Sequence, residues 1–139
     1  MDADKELRQF DRVNVLAPLT ARPLSGVFAD KCFCRLNGQT FDDSLKRNLY
    51  KRLNISGTGL AFESDAPFAQ GGILEVRFSL DDVYSGVIEL CIEVMRVDMR
   101  PRGYWIAGRF VGMDEAIRKL ILKFIYERGQ RSDRKKIAG

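Results

Sequence analysis

Hydrophobic and polar residues alternate most clearly between Gly86 and Val97, where Ile88, Leu90, Ile92 and Val94 are interleaved with Glu89, Cys91 and Glu93. A period of two sends successive side chains to opposite faces of an extended chain. This segment therefore predicts a strand with one face in the core and the other toward water. Pro101-Arg102-Gly103 predicts a chain reversal, and YWIAGRFV (104–111) its antiparallel partner. Shorter extended stretches are predicted at VNVLAPLT (13–20), where Pro18 suggests an edge or a bulge, at GVFADKCFCRL (26–36) and at ILEVRFSL (73–80). Within YKRLNISGTGLAFES two extended pieces flank a glycine-containing turn, and Asn37-Gly38, Gln70-Gly71-Gly72 and Asp81-Asp82 mark further turns. The polar stretch QTFDDSLKRN has no clear period and predicts a loop or a single helical turn.

The period then changes. Ile117, Leu120, Ile121, Phe124 and Ile125 fall on one stripe at helical spacing, Asp114 stands as the N-cap, and Gly129 is placed to end the helix as its C′ residue. The polar, basic residues 130–139 (QRSDRKKIAG) predict a fraying tail. Residues 1–12 carry only Leu7 and Phe10 as sizeable apolar side chains and predict a mobile arm. Several short strands followed by one amphipathic helix predict a mainly β protein: an antiparallel barrel over residues 13–129, with the helix closing one end.

At 139 residues the chain fits one domain, and a hydrophobic share of 45% is enough for a packed core. No apolar run approaches the length of a membrane span. The first six residues are mostly charged and lack an apolar signal core, so a cytoplasmic protein is expected. The absence of histidine changes the picture more. Neither a Ser-His-Asp nor a Cys-His arrangement can be built, and no paired-carboxylate motif stands out. An enzyme is the least favoured class; no catalytic residue is assigned and no cofactor is expected. Cys32, Cys34 and Cys91 are too few and odd in number for a disulfide framework. With no histidine to complete a ligand set, they are expected to be structural thiols rather than a metal site.

A net charge of +4 is a mild bias toward anionic partners. Basic residues gather near the start (Arg8, Arg12), before a predicted strand (Lys46, Arg47, Lys51, Arg52) and at the end (Arg128, Arg131, Arg134, Lys135, Lys136). Such clusters ordinarily serve solubility, and the mixed signs elsewhere argue against binding a nucleic acid polymer. Two spaced patterns stand out: Arg8-Gln9-Phe10-Asp11-Arg12, an RxxxR directly before the first strand, and Asn54-Ile55-Ser56-Gly57-Thr58-Gly59, an NxSxxG between two strands. Each alone is a common composition, of a polar tail or of a β-turn.

In this order, with strands between and after them and a terminal helix, the two patterns resemble the ligand-binding motifs of PilZ domains. The late GYWIAGRFVGMD resembles the closing segment of that family. The resemblance implies a six-stranded split barrel with a C-terminal helix, and a receptor for cyclic di-GMP with Arg8, Arg12, Asn54, Ser56 and Gly59 at the ligand. Arginine meets the adjacent O6 and N7 acceptors of guanine bidentately, pairs with phosphate and stacks on bases. Asn54 offers both a donor and an acceptor, Ser56 a hydroxyl toward ligand or loop, and Gly57 and Gly59 permit close approach or positive φ. Arg12 and Asn54 are further apart in sequence than in compact members of the family, the excess falling around residues 30–50. Arg47 and Arg52 are the substitutes should Arg8 and Arg12 not be the pair. Leu7 stands where some members carry a further arginine, which points to one bound dinucleotide rather than an intercalated pair. Trp105 is expected to be packed or half-buried rather than a stacking platform. The expected partners are cyclic di-GMP and a downstream protein, with the receptor a monomer or homodimer. The alternatives are a barrel of the same fold acting by protein contact alone and an oligonucleotide-binding barrel.

Overall fold

The computed structural model describes residues 12–25, 31–41, 48–81 and 83–138, and their side chains as far as residue 129. Its strands are β1 (Arg12–Leu24), β2 (Cys34–Asn37), β3 (Tyr50–Ser56), β4 (Gly59–Ser64), β5 (Ile73–Phe78), β6 (Val87–Arg100) and β7 (Gly103–Val111), followed by the helix α1 (Glu115–Ala138). All pairings are antiparallel, in the order β2-β6-β5-β1-β3-β4-β7, and β7 pairs again with β6. Six strands thus close into a ring, and β2 is a seventh strand laid on the same β6 outside that ring. The ring is split at β1, which pairs with β3 from Arg12 to Pro18 and with β5 from Leu19 to Leu24. Pro18 has no N–H to give to a ladder, and it stands where β1 changes partner; its carbonyl accepts from Ser79 N at 3.2 Å.

Inward-facing residues fill the ring. Leu53, Ile55, Phe62, Leu74, Val76, Phe78, Ile88, Leu90, Ile92 and Ile106 form one buried cluster with Ile117, Ile121, Phe124 and Ile125 of α1. Each such side chain stabilises the fold by about 1.5–3 kcal/mol relative to an exposed one. The helix stripe therefore does what its spacing predicts and packs on β1, β2 and β3. Asp114 caps the helix, its Oδ1 accepting from Ile117 N at 3.1 Å.

Two expectations are corrected. The helix does not end at Gly129: that residue lacks the positive φ of a C′ position, and helix continues to Ala138 where a fraying tail was expected. One internal glycine costs only about 1 kcal/mol, and the good helix formers on either side outweigh it. The first half of β6 is not half-wet, because Val87 to Ile92 are all buried. Its outer face is covered by residues 31–41 and by arginines: Phe33 N donates to Cys91 Sγ at 3.4 Å, while Arg35 and Arg77 donate to Glu89 at 2.7 and 2.8 Å. Desolvation raises the Glu89 carboxyl, but the hydrogen bonds from Arg35, Asn37 and Arg77 outweigh it and hold the carboxyl below its ordinary range. Of the extended stretch expected at residues 26–36, the described part supplies β2 from Cys34 onward, and residues 26–30 lie outside the described residues.

Candidate binding site on the outer face of the barrel

The β1–β3 register brings the two sequence motifs together across the long intervening chain. Arg12 pairs with Ser56, and Asn14 with Asn54. Asn54 then pairs with Ala61, Ala61 with Ala107, and Ala107 with Arg96. Residues directly opposite on paired strands share a face, so Asn14, Asn54, Ala61, Ala107 and Arg96 make one row across the outside of the barrel. One step along lie Arg12, Ser56, Gly59 and Arg109; one step the other way, Trp105 stands opposite Glu63 on β4 and Asp98 on β6.

The middle row is low because two of its members are alanines. The result is a cleft of about 450 Å³ whose lining includes Arg12, Asn54, Ser56, Gly59, Arg96, Trp105 and Arg109. Among the described residues three arginines and no carboxylate line it, which favours an anionic ligand. Two carboxylates stand just outside and orient the cations: Glu93 takes Arg109 at 2.5–2.6 Å, and Asp98 takes Arg96 Nε at 2.9 Å. A wider groove of about 970 Å³ adjoins the cleft, sharing Asn14 and Trp105 with it. Of the NxSxxG residues none lines that groove, so the smaller cleft is the candidate site.

Of the residues expected from sequence, Arg12, Asn54, Ser56 and Gly59 converge on the cleft, whereas Arg8, Leu7 and Arg47 lie outside the described residues. Arg52 lines the wider groove instead, away from Asn54 and Ser56. Asn54 Nδ2 donates to Asn14 Oδ1 at 2.9 Å, which fixes the side-chain amide on the cleft floor. The Ser56 hydroxyl accepts from the N–H groups of Thr58 and Gly59 and donates to the Gly59 carbonyl, all at 3.2 Å, so it holds its own turn. Neither Gly57 nor Gly59 has a positive φ. Gly59 is needed for close approach: a Cβ there would stand 2.2 Å from the Gly108 carbonyl oxygen on β7.

Several cleft residues lie outside both sequence motifs, among them Asn14, Arg109, Trp105 and Arg96. Trp105 is half-buried as expected, yet it walls both concavities, and the Arg100 guanidinium lies 5.5 Å from its ring centroid. Arg96 is missed because strict alternation carried past Val94 would turn it inward. A register shift between Val94 and Arg96 reverses the phase, and the spacing of three between Val94 and Val97 is the signal for it. The cysteines lie elsewhere: burial pushes the Cys34 and Cys91 thiols up, and Cys34 Sγ contacts Met113 Sδ at 3.5 Å. Among the described residues no group of three or more Cys, Asp or Glu is arranged to hold a metal ion, and no helix is long and apolar enough to cross a membrane.

A family model described as the PilZ domain matches residues 6–127. No curated protein matches the sequence. Among solved structures, a protein from Xanthomonas campestris, described as pathogenic and as a new tetrameric PilZ domain self-assembled via an unusual helical bundle, is similar with a TM-score of 0.61. It is 11% identical, and the alignment covers 93% of this chain and 91% of that one. At this identity the likeness concerns the fold.

Proposed function

Since the chain belongs to the PilZ domain family, we propose that it is a receptor for the bacterial second messenger cyclic di-GMP, which it holds in the outer-face cleft. The observation that carries this is the β1–β3 register, which sets the second arginine of RxxxR directly opposite the serine of NxSxxG. Arg12, and Arg8 from the arm before it, supply guanidinium groups for the phosphates and guanine edges. Asn54 presents an oriented amide from the floor, and Trp105 offers a ring on which one guanine stacks. Such stacking contributes about 1–3 kcal/mol per base.

Binding is relayed by ordering the N-terminal arm and through the wall that the cleft shares with the wider groove. That groove is bordered by the exposed apolar residues Leu16 and Tyr50, a surface suited to a protein partner. Movement of Trp105 or of the arm on binding would change that surface, so ligand and partner are linked through a common residue.

Calorimetric titration with cyclic di-GMP tests the receptor function, with GTP as control and Arg12→Ala and Asn54→Ala as variants. Saturable binding is expected for the wild type and not for GTP. Loss of a bidentate contact at Arg12 is expected to weaken affinity by about 5- to 150-fold. A folded wild type that takes up no cyclic di-GMP would leave the barrel as an adaptor acting by protein contact alone.

A further inference from the structure

We propose that Arg96 is a specificity-determining residue of the cleft, reading the edge of a guanine that stacks on Trp105. The inference rests on the receptor function proposed above and concerns a strand that carries neither sequence motif.

The placement is the work of a β-bulge. Up to Val94, β6 keeps strict alternation, and Val94 is pinned on its other edge by hydrogen bonds to Gly71 and Gly72 at 2.7 and 2.8 Å. Val94 pairs with Gly108 and Arg96 with the adjacent Ala107, so Met95 is the extra residue. Without it, residue 96 would point into the barrel. With it, Met95 and Arg96 both lie outside, and Val97 returns to the core side against Ile106. Bulges recur where a strand must re-aim a side chain at a site.

The bulge also decides what Arg96 can reach. Arg96 faces Ala107, whose methyl leaves the cleft floor open, and it lies diagonally across the β6–β7 pair from Trp105, a separation of about 7–8 Å. A base stacked on the indole turns its edge toward that position. The guanidinium is already oriented, because its Nε donates to Asp98 Oδ2 at 2.9 Å. Among the described residues neither terminal nitrogen of Arg96 has a hydrogen-bond partner, so the two-pronged end is available for the O6 and N7 acceptors of guanine. Arg109 differs: Glu93 occupies both its Nε and one terminal nitrogen.

The test is equilibrium binding of cyclic di-GMP and cyclic di-AMP to the wild type, Arg96→Ala, Arg96→Lys and Asp98→Asn, with thermal unfolding run on each protein. Arg96→Ala is expected to weaken cyclic di-GMP binding by about 5- to 150-fold and to leave cyclic di-AMP binding unchanged, collapsing the discrimination. Arg96→Lys keeps the charge and loses the fork, so most of the loss should remain. Asp98→Asn is expected to weaken binding less than Arg96→Ala, and to add nothing when the two substitutions are combined in one further protein. A wild type that binds while both Arg96 variants match it would overturn the role of Arg96 and leave the receptor function standing. Rescue by lysine, or equal losses for both dinucleotides, would overturn base reading in favour of a phosphate contact. A folded wild type that binds neither dinucleotide would overturn the receptor function itself, and the inference with it.

Discussion

Replacing Gly59 by alanine separates the structural role of the second motif from its ligand-binding role. The added methyl would stand 2.2 Å from the Gly108 carbonyl oxygen and 3.0 Å from the Arg109 Cα. Both are backbone atoms of β7, so no rotamer change relieves the contact. Strands β4 and β7 must part, in the region where Phe110 N donates to Thr58 O at 2.9 Å. Overpacking of this kind costs about 1–3 kcal/mol, which is a factor of roughly 5 to 150 in the folding constant. Gly57→Ala is the control two residues away. Its methyl would come 2.9 Å from Leu122 Cδ2, the tip of a side chain that is 44% exposed and free to turn aside. That variant should stay within about 0.5 kcal/mol of the wild type. Urea unfolding followed by circular dichroism reads both, with unchanged slopes and a lower midpoint for Gly59→Ala alone. A Gly59→Ala midpoint equal to the wild type, or equal losses in the two variants, would refute the assignment of Gly59 to strand packing.

Glu89→Gln should flatten the acid limb of the stability curve. The folded carboxyl is held below the unfolded value of about 4.3. Its contribution is therefore present above that value and is lost as pH falls through the folded pKa. At neutral pH the variant should be less stable by about 1.5–2 kcal/mol, the lower part of the range for charge-assisted hydrogen bonds because Arg35 and Arg77 face solvent; urea midpoints at pH 7 and at acid pH check both statements. Asp114→Ala removes the cap on α1 and should cost about 1 kcal/mol, read as a lower thermal midpoint, whereas Asp114→Asn should retain most of the stability.

The ring of strands and the core helix were legible because each carries a clean period: two along β6 as far as Val94, and 3.6 from Ile117 to Ile125. The meeting of Arg12 with Ser56 was not, since register is a property of two strands and no single segment encodes it. Only the family resemblance put those residues side by side in advance. The outer cover of β6 was illegible for a related reason. Glu89 reads as a water-facing residue until Arg35 and Arg77, on different strands, are seen to satisfy it in a buried position. Gly129 shows the limit of local signals, because a helix ends where its continuation fails, and Gln130, Arg131, Arg134, Lys135, Lys136 and Ala138 are good helix formers. Arg96 lay hidden by an extra residue that shifts the alternation by one, although the spacing from Val94 to Val97 records it.

Trp105 is the one tryptophan of the chain, and it walls the cleft, so its emission reports on the site without a label. The most direct measurement is a titration of that emission with cyclic di-GMP beside GTP. A saturable change with cyclic di-GMP, absent with GTP and weakened in Arg12→Ala, is the outcome expected for a ligand held in the outer-face cleft. Emission that stays constant while calorimetry shows the protein saturated would place the ligand elsewhere and contradict it.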